Sequence, residues 1–191
     1  FQNVNPQWDH APAPPPCAPI VTNGPVVAAL WTGLLQLAGP GPAIELTDDP
    51  DLHLLVDGVR VDASEVRDCC HAFDIDAAGA ALRIVSRAAA PAELGLTHEQ
   101  RRLGVAVQRI VLRAPGMTIE LHAESPSLCQ GFHGYEADDG LRWTDGDAAL
   151  PPALAAACAD GPVRIELHLG GSTCYRRTTP AIPGERLAHA A

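Results

Sequence analysis

Between residues 131 and 150 the chain reads GFHGYEADDGLRWTDGDAAL, its densest run of side chains able to do chemistry. His133, Glu136, Asp138, Asp139, Asp145 and Asp147 are enough ligands for a calcium ion. The D-x-D-x-D-G spacing of a calcium loop with its distant Glu is absent, and DGD at 145–147 is only a fragment of it. Asp-Asp-Gly at 138–140 and Asp-Gly at 145–146 are ordinary turn chemistry, because Asp bonds its own backbone and Gly tolerates positive φ. The stretch therefore reads as strand, turn, strand, turn and the entry to AALP. Glu136 and Arg142 would flank the first turn, close enough to pair across it. Trp143, in an aromatic-poor chain, fits a core position better than a binding platform. The residues point first to structure, then to ligand binding, and last to a metal.

Elsewhere the chemistry is thinner. Two carboxylates can serve a glycosidase, but only at a separation that sequence does not give. GGST at 170–173 is not the G-x-S-x-G of a nucleophile elbow, and no H-E-x-x-H occurs. His122 and His168 alternate with apolar strand residues, which places them on a solvated face. Six cysteines form no C-x-x-C pair. Cys69-Cys70-His71 would point alternately to opposite faces of a strand, which favours buried or edge thiols over a metal site. Disulfides stay possible and the redox compartment open. Arg101-Arg102 is a pair able to grip a carboxylate or phosphate through bidentate hydrogen bonds; in so acidic a chain, ion pairs with nearby acids are the favoured reading.

The composition sets limits. The chain has 191 residues, a net charge of -10, 13 basic residues and no lysine. Such a charge is repelled by nucleic-acid phosphates and anionic lipid, so neither is an expected partner. Apolar residues make up 47% and aromatics 4%, so the core must be Val, Leu, Ile and Ala. No apolar run reaches the roughly 20 residues of a membrane span. Phe1 and the absence of a signal pattern suggest a processed or truncated chain. Alanine richness and Arg in place of Lys fit a GC-rich bacterial genome.

The elements that must position these residues follow from the pattern. Residues 1–22 form a Pro-rich arm, with Trp8 a possible anchor. An amphipathic helix is expected over 23–38, with Asn23 as N-cap, Pro25 in its first turn and an apolar stripe of Val27, Leu30, Trp31, Leu34 and Leu35. Its other face carries no charge, which is either bland or covered by a missing domain. From residue 43 the period becomes two. Strands are expected at 43–46, 52–56, 59–61, 71–75, 82–87, 105–113, 117–123 and 163–169, with hairpins at Asp57-Gly58 and Pro115-Gly116. Residues 151–160 read as one short helical turn. The expected fold is all-β: a sandwich or jelly roll of about nine strands over 43–179, with the helix packed on it and a tail at 180–191.

The succession CAPIVTNGPVVAAL, LTDDPDLHLLVDG, RIVSRAAAPAELG, RRLGVAVQRIVL and GFHGYEADDGLRWTDGDAALP resembles the region downstream of the hedgehog/intein (Hint) domain in α-proteobacterial Hint-domain proteins. In that family an N-terminal Cys or Ser attacks its own backbone, assisted by a His. None of those residues maps here, and Phe1 is no nucleophile, so the resemblance implies the trailing module rather than the catalytic one. The segment around His133 and Trp143 is also similar to β-sandwich modules appended to bacterial glycosyltransferases and surface proteins. The expectation is a non-catalytic accessory module with a binding or structural role, at the cell envelope or secreted rather than cytoplasmic. Its expected partners are the upstream Hint domain and a surface glycan. A carbohydrate would be held by His133, Tyr135, Glu136, Arg142, Trp143 and Asp145 through ring stacking and planar hydrogen bonds. No cofactor is expected beyond calcium as an outside candidate. The alternatives are an enzyme with hydrolytic or residual autoprocessing activity, or a purely structural partner of the upstream domain.

Overall fold

The computed structural model describes residues 21, 24–39, 44–76, 81–157 and 161–177. Most of the Pro-rich arm with Trp8 and Cys17, the expected cap Asn23, Cys158 and the tail 180–191 lie outside them. The chain divides into two compact units, Phe1–Gly39 and Pro40–Ala191.

In the first unit, helix α1 (Pro25–Ala38) starts one residue later than expected. Gly24 is the N-cap and offers no side-chain bond, with Pro25 at the start where its missing N–H costs nothing. None of its residues is buried: Val27 and Trp31 are half-buried, while Leu30 and Leu34 are 63% and 62% exposed.

The second unit is a β-sandwich. Its strands are β1 (Leu46–Thr47), β2 (His53–Val56), β3 (Val59–Asp62), β4 (Glu65–Arg67), β5 (Cys70–Ile75), β6 (Leu82–Val85) and β7 (Val105–Ala114). They are followed by β8 (Met117–His122), β9 (Phe132–Glu136), β10 (Leu141–Thr144), β11 (Asp147–Ala149), the short helix α2 (Pro152–Ala157), β12 (Val163–Ser172) and β13 (Tyr175–Arg176). The strands beyond the expected nine or so are brief: β4, β11 and β13 span two or three residues, too few for alternation to register.

All pairing is antiparallel. One sheet runs β4-β5-β12-β7-β10-β9, with β8 also on β7; a second runs β11-β6-β2-β3; β1 pairs with β13. The Asp57-Gly58 hairpin forms as expected, both residues at positive φ (49° and 82°), the conformation a tight two-residue turn demands. β12 alternates as its sequence requires. Val163, Ile165, Leu167 and Leu169 are buried against Phe73, Ile110 and Leu112 of the same sheet and Leu54, Leu82 and Ile84 of the facing one, all in one cluster. Each such buried aliphatic contributes about 1.5–3 kcal/mol. No helix among the described residues is long and apolar enough to cross a membrane.

Candidate functional site

The 131–150 stretch folds as strand, turn, strand, turn, short strand, and its polar groups turn to different partners. Leu141 lies opposite Glu136 and Arg142 opposite Tyr135. Glu136 and Arg142 are therefore on successive rungs and do not pair, contrary to the sequence expectation. Arg142 instead donates to the carbonyls of Ala123 (2.7 Å) and Leu128, both buried residues. Glu136 accepts from Arg101 at 2.8 Å. His133 Nε2 donates to the Arg102 carbonyl at 2.8 Å. Asp145 Oδ1 accepts from the Asp147 backbone N–H at 3.0 Å, closing the turn. Trp143, opposite Ala106, is half-buried, so it is neither fully core nor an open platform. Tyr135 and Asp145 are the exposed members of the set. Among the described residues no three His, Cys, Asp or Glu side chains converge as a metal site would require.

What this strand pair grips is the segment Arg101–Gly104. The Arg101 guanidinium sits between Glu99 and Glu136, both at 2.8 Å, and Glu99 also accepts the Arg101 backbone N–H at 2.7 Å. Donation from the Arg101 guanidinium, with the backbone N–H a lesser contributor, holds the Glu99 carboxyl below the usual glutamate range. His133 takes the Arg102 carbonyl. Leu103 exchanges backbone hydrogen bonds with Ala89 at 2.9 and 3.1 Å. Gly104 donates to the Thr144 carbonyl and accepts from the Tyr175 hydroxyl, each at 2.7 Å. Only glycine fits there, since a Cβ would overlap Thr144 Oγ1, Ser86 Oγ and the Gly146 nitrogen. Tyr175 is 1% exposed, and burial pushes its hydroxyl pKa up to about 12. Four consecutive residues are thus fixed, while the Arg102 side chain is left over.

That side chain lines a cleft of about 540 Å³ with Arg87, Arg176, Gln100 and Tyr175, walled by Ala88–Ala90. Glu93 is the one carboxylate among its lining residues. Arg87 is tied at Nη1 to the Asp49 carboxylate (3.2 Å) and carbonyl (3.1 Å). Arg102 and Arg176 have no ion-pair or hydrogen-bond partner for their guanidinium groups among the described residues; Arg177 shares that condition but does not line the cleft. The other described arginines bond carboxylates or, for Arg142, carbonyls. The cleft thus gathers unspent positive charge in a chain of net charge -10. Sequence reasoning singled out Arg101-Arg102 and favoured structural ion pairs; that holds for Arg101 and not for Arg102. Arg87 and Arg176 carry no local signal.

A third cluster lies on the outer face of the large sheet. Opposed residues on β5, β12 and β7 place Asp74, Arg164 and Arg113 in one row and Cys70, His168 and Arg109 in another, with Glu166 between. Arg113 forks onto Glu166 (2.8 and 3.2 Å), which lowers the Glu166 pKa. Cys70 Sγ is 3.9 Å from His168 Nε2, and Glu166 Oε2 is 3.7 Å from that same nitrogen. A nucleophile relay uses the two ring nitrogens separately, and here one nitrogen faces both groups. Burial, then the Glu166 charge, pushes the Cys70 thiol up, opposing thiolate formation. His168 is half-buried rather than solvated, whereas His122 is exposed as expected. Cys69, Cys70, Cys129 and Cys174 are free thiols. No family model, curated protein or solved structure matches the chain, so the chemistry of the cleft stands on its own residues.

Proposed function

We propose that this chain is a non-catalytic accessory module that trails a Hint-type autoprocessing domain at the bacterial cell envelope and works by recognising a glycan. The observation that carries the reading is the open cleft whose hydrogen-bonding side chains, Arg102 and Arg176 above all, are not consumed by the fold. Pockets of about 300–1,000 Å³ with a few convergent polar groups are where ligands bind. The planar guanidinium and amide groups of the lining match the hydroxyls and ring substituents of sugars.

The test is a thermal melt against a panel of bacterial surface polysaccharides, with calcium and EDTA arms. A glycan present at a hundred times its Kd adds about 2.7 kcal/mol, which raises Tm by several degrees. A rise with one glycan, abolished by Arg102→Gln, supports the reading. A panel that leaves Tm unmoved counts against it.

A second reading, a structural partner of the upstream domain, is favoured by α1. That helix has no charged residue, and Leu30, Leu34 and Leu37 are more than 60% exposed. It predicts that the purified chain binds its own Hint domain and that Leu30→Asp abolishes the complex.

A further inference from the structure

We infer that the cleft takes the carboxylate of a uronic-acid residue between Arg87, Arg102 and Arg176, with the sugar hydroxyls facing Gln100 and Glu93. This rests on the glycan-binding reading above and specifies its ligand class. Three guanidiniums against two carboxylates, Glu93 on the lining and Asp49 on Arg87, leave a local surplus of one positive charge, which an anion neutralises. A guanidinium fork meets a carboxylate through two parallel N–H···O bonds, an arrangement a neutral sugar cannot return.

The Arg87 guanidinium and the backbone that carries the other two are placed in advance. Arg87 is held through Nη1 by Asp49, which leaves its other N–H groups to a ligand. Arg102 projects from a segment fixed at Arg101, at its own carbonyl and at Leu103 and Gly104. Arg176 follows Tyr175, whose hydroxyl bonds the same segment at Gly104. The backbone is thus ordered before binding, and what binding still has to order is the Arg102 and Arg176 side chains. His133 and Glu136 act here as positioning residues, not as contacts. Glu93 decides between anions. It repels a phosphate dianion, but it accepts from the hydroxyl beside a sugar carboxylate, while Gln100 can donate to the same hydroxyl or accept from it.

The experiment is calorimetric titration of the full chain with trigalacturonate, its neutral galactose counterpart, monomeric galacturonate and inorganic phosphate. The variants are Arg102→Gln and Arg176→Gln, with Arg177→Gln as the control arginine outside the cleft. The expected result is binding of trigalacturonate well above the neutral trimer. Affinity should fall about tenfold or more in each cleft variant and stay unchanged in Arg177→Gln. A monomer that binds as well as the trimer identifies a free sugar acid as the ligand; a tighter trimer identifies a polysaccharide. Equal binding of the neutral trimer, untouched by Arg102→Gln, overturns the uronate inference while the glycan reading stands. If neither trimer binds, both fall. Phosphate that binds as tightly as trigalacturonate and depends on the same arginines also overturns it, leaving a general anion site.

Discussion

The strand pair β9–β10 and the cleft lined by Arg102 hold similar side chains and use them in opposite ways. In and beside the strand pair four of the side chains singled out from sequence are consumed: Glu136 by Arg101, His133 by a carbonyl, Arg142 by two carbonyls and Asp145 by a turn N–H. In the cleft Arg102 and Arg176 have no such partner among the described residues. Density of reactive residue types is therefore a different property from unspent hydrogen-bonding capacity in a concave place, and the proposed function rests on the second. The two regions are nonetheless one device, because Glu136 and His133 hold the segment that presents Arg102.

The strongest way to break that device is through Tyr175, which is fully buried and holds the Gly104 carbonyl. Tyr175→Ala is expected to cost about 3–5 kcal/mol in urea unfolding and to lose the cleft with the fold. Next comes Arg142. Arg142→Met keeps most of the stem but strands two carbonyls of buried residues, an expected loss of about 2–3 kcal/mol. Affinity for trigalacturonate should be unaffected, since Arg142 does not line the cleft. A variant that keeps its stability and loses binding would reverse the assignment of the two regions.

How much of this was legible in the sequence depends on range. The Asp57-Gly58 hairpin and the β12 alternation are written in adjacent residues, and both form as read. β13 carries two residues and no pattern, so Tyr175 and Arg176 give no warning that they close the cleft. The partner of Glu136 is Arg101, 35 positions away, not Arg142 across the turn. Local spacing cannot rank such competitors, because the choice is made by register: Glu136 falls opposite Leu141 and one rung from Arg142. The same contact decides which member of Arg101-Arg102 is spent. The chemistry of the pair was legible; its division of labour was tertiary.

Glu99 sharpens the comparison from the consumed side. Its folded pKa lies below the ordinary value because Arg101 donates to it, so the folded state binds fewer protons than the unfolded chain as pH drops through the carboxylate range. The stabilisation is complete above the ordinary glutamate pKa of about 4.3 and is lost as pH falls through the lower folded value. For a partly exposed pair it should be about 1 kcal/mol or less. Urea unfolding of the wild type and Glu99→Gln should differ by a constant amount near neutrality and converge in acid. A difference that grows in acid would mean that the Arg101 clamp does not depend on this charge.

The smallest expected effect on stability is the most diagnostic. Arg102 and Arg176 are exposed and unpaired among the described residues, so Arg102→Gln and Arg176→Gln should each change unfolding free energy by no more than about 0.5 kcal/mol in either direction. Together they also relieve repulsion between two guanidiniums lining one cleft, which favours a slight gain. Urea unfolding of the double variant measures this directly. Preserved stability alongside lost uronate binding marks charge kept for a ligand. A loss of 2 kcal/mol or more would show that the fold consumes these arginines after all, and the distinction between the two regions would collapse.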